Sequence, residues 1–434
     1  MIAAAASVFR IPDLRQKLLF TAAMLVVFRF VANVPVPGVN LAALQSVFDA
    51  NQLIGLLDLF SGRALSSLSI AAMGVYPYIT AQIIVQLMVP IIPRLQELAN
   101  EGDAGRQKIN QITHYLTVPL AFLQAFGTVQ FINATSTQGP ILPNFGFDHD
   151  FLGTLAMLTA MTAGTMFLIW IGELITQYGI GNGISIIIFS GIVASFPSAA
   201  WRAIASGTVE NILPLVVFVV LGLVTTYAIV FVYEGQRRIP VQYAKRLRGN
   251  RWYGGGTTHI PLRVNSAGMI PLIFASSIMI FPGTVASYFT TSQNELVARF
   301  ATFVYQLFYL GTSWVYWVLY FLLVVGFTFF YALVLFEQQK IAETLQKHGG
   351  FIPGIRPGRP TQEYLYKVLT RITWGGAIFL GIVAVLPFIA RSITHIQALT
   401  LSSTALLIVV GVLLDTIKQL EAQLLMRHYQ GFIR

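Results

Sequence analysis

Apolar runs close to the roughly 20 residues that a helix needs to cross a bilayer recur along this chain from Leu18 to Ile417, separated by short polar pieces. A soluble fold has no way to bury so many. Hydrophobic residues make up 56% of the chain and charged residues 10%, against about 45–50% and about 25% in an average soluble domain. The runs predict spans at Leu18 to Pro35, Leu68 to Ile92, Ile112 to Ile132, Phe151 to Ile171, Ile184 to Trp201, Ile212 to Tyr233, Ala267 to Tyr288, Trp314 to Phe336, Ile372 to Ile389 and Ala398 to Ile417. The expected fold class is therefore all-α and polytopic, with ten transmembrane helices.

Charge supplies the orientation. Of the 27 Lys and Arg, only Arg29, Arg63, Arg202, Arg299 and Arg391 lie outside five polar regions: the segment before Leu18, Arg94 to Lys108, Arg237 to Arg263, Lys340 to Arg371, and Lys418 to Arg434. Basic loops are retained in the cytoplasm, so alternate loops and both termini are expected there. The fifth span is short and carries Pro197, but the basic loops on either side of it require it to cross. Ten crossings divide five and five, and an odd number per half inverts one half relative to the other. The expected units are a cytoplasmic segment 1–17, an N-terminal half 18–201, a C-terminal half 202–417 with cytoplasmic loops 234–264 and 336–371, and a cytoplasmic tail 418–434. The first apolar run has no small-residue cleavage site after it and reads as retained.

Three connections are unusual. Gly55 to Ser67, GLLDLFSGRALSS, mixes Asp58, Ser61, Gly62 and Arg63 with Leu56, Leu57, Leu59, Phe60 and Leu65. It is too polar to face lipid and too apolar for water. A short amphipathic helix satisfies both, either on the outer surface or folded back between the spans. In 234–264, extended runs around Ile239 to Tyr243 and Thr257 to Val264 flank Gly254 to Gly256 and predict a protruding hairpin. In 336–371, Pro353, Pro357 and Pro360 stiffen turns that carry Arg356 and Arg359. Such rigid charge suits a protein partner, since orienting a helix needs only a couple of Lys or Arg; the alternative is that the charge enforces topology or attracts anionic lipid.

Catalytic chemistry is not legible. There is no cysteine, no paired carboxylates, no HExxH, GxxxxGK[ST] or GxSxG, and the six histidines are dispersed. Gly179, Gly181 and Gly183 read as a tight turn. No metal site or cofactor is expected. Arg29 lies toward the outer end of its span, where it can snorkel, and Glu173, Glu234 and Asp415 fall at cytoplasmic span ends. Val75 and Ile79, like Ile184 and Ile188, are four apart and share a helix face. Such a stripe is ordinarily lipid-facing or packed core. Gln82, Gln86, Gln124 and Asn265 can bond across helices.

Motifs along the whole chain carry a resemblance: RFVANVPVPGVN from Arg29, LFSGRALS from Leu59, YPYITAQIIVQL from Tyr76, EGDAGRQKI from Glu101, GTMFLIWIGELIT from Gly164 and YGIGNGISIIIF from Tyr178. EGQRRIPVQYAKR from Glu234, THIPLRVNSAGMIPLIFASSI from Thr258, FIPGIRPGRPT from Phe351 and STALLIVVGVLLD from Ser403 continue it. In order and spacing the chain resembles the SecY family of protein-translocation channel subunits. The resemblance implies a central hourglass pore between two inverted five-helix halves, sealed at its waist by apolar side chains and from outside by a short plug helix. By motif the waist ring would be Val75, Ile79, Ile184, Ile188, Ile273 and Ile408, with Val75 standing where isoleucine is usual. The plug, 57–67, would include Leu57, Leu59, Phe60, Ser61, Gly62, Arg63 and Leu65, with Arg63 replacing a residue often small in the family. Spans two and three against seven and eight would form a lateral gate lined by Thr80, Gln124 and Asn265. Arg246, Arg251 and Arg356 would receive the SecA motor or a ribosome.

The implied function is to pass unfolded secretory polypeptides across a membrane, without enzymatic activity, and to release hydrophobic segments into lipid. The implied partners are SecE, a SecG-like subunit, SecA, the ribosome, signal peptides, nascent chains and anionic lipids, with no direct DNA binding. The implied location is the inner (plasma) membrane, the thylakoid membrane being the alternative. A rival reading is an ion-coupled secondary transporter with a five-plus-five inverted repeat, and a further one a scaffold or insertase. The scarcity of ionisable groups inside the spans weighs against the transporter.

Overall fold

A computed structural model describes residues 11–40, 43–44, 58, 61–62, 64–135, 141–142, 145–147, 150–205, 212–243, 246–248, 251–253, 256–268, 270–289, 294–308, 314–394 and 402–430. In chain order the helices are α1 (Pro12–Ala32), α2 (Tyr76–Met88), α3 (Pro93–Asn100), α4 (Asp103–Thr135), α5 (Phe151–Tyr178), α6 (Gly183–Ala205), α7 (Ile212–Glu234), α8 (Ile270–Phe289), α9 (Glu295–Phe308), α10 (Trp314–Gln339), α11 (Ile341–Lys347), α12 (Arg359–Thr394) and α13 (Ser402–Gln430). Strands β1 (Gln236–Tyr243), β2 (Arg246–Arg248), β3 (Arg251–Tyr253), β4 (Thr257–Arg263) and β5 (Gly350–Phe351) add two small sheets. The chain is thus mostly helical rather than wholly so.

Local sequence explains where the elements start. Pro12 opens α1, where a missing N–H costs nothing, and Asp13 and Arg29 occupy the first and last turns with the signs that the helix dipole favours. The Asp150 carboxylate caps α5 by accepting from the Gly153 N–H at 3.0 Å. The Asn182 side chain does the same for α6, accepting from the Ile184 and Ser185 N–H groups at 3.1 and 3.2 Å. Gly181, at φ +78°, makes the turn read from its glycines.

Each of the ten predicted runs overlaps one helix, with shifted edges. The largest shift is in the second run. Residues 65–75 form consecutive turns instead of helix, with Gly74 at φ +56° and Leu68 in the same left-handed region, so α2 begins only at Tyr76. Beyond it, α3 departs at 100°, where Pro90 and Pro93 preclude a continuous helix. Among the described residues, Ala104–Asn133, Phe151–Tyr178, Trp314–Lys347 and Arg359–Leu386 are each long and apolar enough to span a membrane, and the bent pair Tyr76–Met88 and Pro93–Asn100 would make a fifth. Gly183–Ala194, Gly222–Glu234 and Ile270–Met279 are shorter apolar helices. One helix, α9, falls between the seventh and eighth runs, where no element is predicted.

The predicted hairpin is present. Strands β1 and β4 pair antiparallel from Gln236 opposite Arg263 to Gln242 opposite Thr257, and β2 pairs with β3 beyond them. Strand β5, from the other long polar connection, adds to the free edge of β1 through Gln242 and Tyr243. Beneath this sheet, Ile239, Val241 and Leu262 pack against Phe336, Leu345, Ile352, Leu365 and Leu369. Period-two alternation sends Ile239 and Val241 inward while their neighbours stay exposed. The two polar connections are therefore one folded platform.

Candidate functional site

The six waist candidates come from four helices far apart in sequence. Val75 is the N-cap residue of α2 and Ile79 lies one turn on, Ile184 and Ile188 sit at the start of α6, Ile273 in α8 and Ile408 in α13. Val75, Ile79, Ile188, Ile273 and Ile408 are all buried members of one apolar cluster, and the half-buried Ile184 packs against it. Burial inside protein means that these stripes face other helices, not the outer surface. Tyr76, Ile187, Ile192 and Leu407 join the same cluster. The six candidates are thus part of a wider buried apolar cluster.

Beside it lies the segment before α2. Asp58, Ser61, Ala64 and Leu65 are buried, which selects placement among the helices over the outer surface. A polar knot satisfies the buried groups, as burial demands. The Ser61 hydroxyl donates to the Asp58 carbonyl at 2.9 Å, and the Asp58 carboxylate accepts from the Ser66 N–H at 2.8 Å. The Ser61 Oγ in turn accepts from the Leu65 N–H at 3.1 Å. The chain is then stitched to the exit of α1: Ser67 Oγ donates to the Ala32 carbonyl at 3.0 Å, and Val36 and Leu68 share a backbone bond of the same length. Leu65 belongs to a second apolar cluster with Leu68 and Met73, with Val129, Phe131 and Ile132 of α4, and with Leu158 and Met161 of α5. Leu57, Leu59, Phe60 and Arg63 lie outside the described residues.

Arg29 corrects the snorkelling expectation. Its Nη1 donates to the Gly62 carbonyl at 3.1 Å and its Nη2 to the Ser190 carbonyl at 2.6 Å, tying α1, the plug candidate and α6 together. The planar guanidinium fork suits two acceptors on different segments. Gly62, at φ +69°, lies over the Phe28 ring, and Gly191 of α6 abuts the Gly62 backbone so closely that neither position has room for a Cβ. Sequence reading gave Arg29 another role and missed Gly191. The available signals were a lone cation within an apolar run and a glycine interrupting one.

Of the gate candidates, the structure joins two. Gln124 Nε2 of α4 donates to Thr80 Oγ1 of α2 across 3.4 Å, and the Thr80 hydroxyl donates to the Tyr76 carbonyl at 3.1 Å. Tyr76 extends the link to α8 by donating its hydroxyl to the Ser277 carbonyl at 3.3 Å. Asn265 is buried just before α8, where its amide donates to the Gly268 carbonyl at 3.1 Å. Of the docking candidates, Arg356 is exposed on the turn between β5 and α12, fixed by Gly354 and Gly358 at φ +81° and +99° and by the Thr361 hydroxyl donating to the Arg356 carbonyl at 2.8 Å. Arg246 and Arg251 lie on β2 and β3, in register with Tyr253 and Arg248. Among the described residues, no three His, Asp or Glu come together as metal ligands would.

Comparison with known proteins gives this arrangement a context. A model of the SecY family matches residues 69–417. The protein translocase subunit SecY of Streptomyces galbus is 46% identical, with all of both chains covered. A solved structure described as "The structure of a protein conducting channel" superposes with a TM-score of 0.62 at 16% identity, covering 94% of this chain and 92% of that one. Another, described by a plug domain of SecY that stabilises the closed state of the translocation channel, gives 0.61 at 17% identity with the same coverage. At such identities the two structures speak for the fold alone.

Proposed function

The chain belongs to the SecY family, and from that premise we propose that it is the pore-forming subunit of a protein-conducting channel. It passes unfolded secretory polypeptides across the membrane and releases hydrophobic segments sideways into lipid. The observation that supports this reading is that Val75, Ile79, Ile188, Ile273 and Ile408, with Ile184 against them, belong to one buried apolar cluster drawn from both halves of the chain. Apolar side chains neither bind nor reject a particular sequence, so diverse polypeptides slide past, and an empty apolar constriction excludes a continuous water column. The segment around Ser61, Gly62 and Leu65 acts as the plug, and opening requires its knot and the Arg29 bonds to be exchanged.

The architecture that goes with this function has ten crossings in two inverted halves, 18–201 and 202–417, with both termini cytoplasmic and the whole in the inner membrane. The alternation of basic loops supports it. Thr80 and Gln124, with Asn265 at the entrance to α8, line the lateral gate between α2 and α4 on one side and α8 and α10 on the other. The platform of β1, β4 and β5 with the β2–β3 hairpin presents Arg246, Arg251 and Arg356 to SecA or to a ribosome, and SecE and a SecG-like subunit accompany the chain. No catalytic role is assigned. Family membership leaves the secondary-transporter reading without support.

Reconstitution tests the proposal. The chain with SecE in liposomes should render a secretory precursor protease-protected only when SecA and ATP are added. Accumulation of a small solute with no precursor crossing would overturn it.

A further inference from the structure

Helix α9 belongs to none of the roles above, and its contacts are unusual. It packs against α8, and its two faces differ sharply. Ala301 is buried, and Phe308 packs against the cluster that holds the waist candidates. Tyr305, one turn earlier, packs instead on the second cluster, the one built by the plug segment, α4 and α5. Its ring lies 6.4 Å, centroid to centroid, from that of Phe131 near the end of α4. Phe131 is itself buried. The opposite face carries Leu296, Phe300 and Phe303, which are 79%, 70% and 62% exposed, alongside the Glu295–Arg299 pair at 2.7 Å. A face so apolar is favoured at a bilayer margin over bulk water.

We propose that α9 is a clasp on the lateral gate: attached to α8, it reaches across the seam and holds α4 through Tyr305 against Phe131, so that this contact must part before the seam opens to lipid. The inference rests on the channel reading and on the assignment of α4 and α8 to opposite sides of the gate. It adds a positioning residue, Tyr305. Tilted ring pairs hold by shape and quadrupole, so the clasp releases when the two rings separate.

The chain lacks cysteine, so a Phe131→Cys/Tyr305→Cys pair can be linked in the full complex in proteoliposomes with a short bifunctional thiosulfonate. The expected result is that the unlinked pair still translocates a secretory precursor, that linking stops the release of a hydrophobic segment into lipid, and that reduction restores it. Tyr305→Ala should speed the release of weakly hydrophobic segments by about two- to tenfold, the range a lost aromatic pair supports, while Tyr305→Phe, which keeps the ring, should stay nearer the parent than Tyr305→Ala. The clasp is overturned if the two cysteines fail to link, or if the linked channel releases segments at the unlinked rate. It is also overturned if Tyr305→Ala behaves like Tyr305→Phe. Translocation by the parent chain reads the channel assignment separately: if the parent moves no precursor, that assignment fails, and the clasp with it.

Discussion

Gly62 and Gly191 meet backbone to backbone, the plug candidate lying on α6 with no side chain between them, while Arg29 donates to the Gly62 carbonyl on one side and to the Ser190 carbonyl on the other. This segment is held on α6 by close approach and by one cation.

Close approach makes Gly191→Ala informative. The added Cβ has no room, and overpacking costs about 1–3 kcal/mol, more than the gain of up to about 1 kcal/mol from replacing a helical glycine. The net effect is to lift the plug. A cysteine at Ala64, fully buried in the parent, should react with a membrane-impermeant thiol reagent about tenfold faster in the Gly191→Ala background. Equal rates would show that the plug does not rest on this glycine.

Arg29→Gln should loosen the same joint. The carbonyls of Gly62 and Ser190 lose charge-assisted donors, at about 1–3 kcal/mol for buried polar groups left unsatisfied. Arg29→Lys should recover only part of this, because a point ammonium lacks the fork that spans two acceptors. Thermal unfolding of the purified complex should therefore rank the parent above Lys above Gln. A snorkelling cation would instead leave Lys equivalent to Arg.

The Gln124–Thr80 bond is long, at 3.4 Å, and the Gln124 Oε1 is buried with no hydrogen-bond partner. Replacing both residues by apolar ones of similar shape, Thr80→Val with Gln124→Leu, removes polar groups that are incompletely paired. The closed seam should gain stability, and a more hydrophobic signal sequence should be needed to open it. Translocation of precursors with graded signal hydrophobicity reads that threshold. A threshold that falls contradicts the expectation.

Arg356→Glu reverses a charge on a rigid exposed turn that no described ion pair engages. Motor-driven translocation should drop at least severalfold, while the melting behaviour of the complex stays within the roughly 0.5 kcal/mol typical of surface changes. Unchanged translocation would remove Arg356 from the docking surface.

By contrast, Lys418→Gln should change little. Its ion pair with Glu234 spans 3.1 Å between α13 and α7, but the Glu side chain is 57% exposed, and such pairs contribute about 0–1 kcal/mol. A destabilisation beyond that, in melts at low and high salt, would give the pair a structural role not expected from its exposure.

Much of this was legible before any tertiary contact. The cost of apolar surface in water and of bare backbone in lipid puts a helix in each long apolar run, though in the second it begins only at Tyr76, and the extended runs of 234–264, on either side of a glycine turn, encode their own hairpin. What the pattern cannot carry is which faces meet. Ile79 and Ile188 read as stripes like any other, and only convergence of four helices puts them in one cluster. Asp58 and Ser61 were equally compatible with the outer surface and with the interior until their hydrogen bonds closed on Ser66 and Leu65. Helix α9 stayed unread because its apolar residues fall in a short run among polar ones. Hydropathy and charge are sums along the chain and fix what must be helical and where the basic loops lie. The clustering of the waist candidates, the contact of Gly62 with Gly191 and the Tyr305–Phe131 contact depend on close approach between distant segments, and only the packed chain decides them.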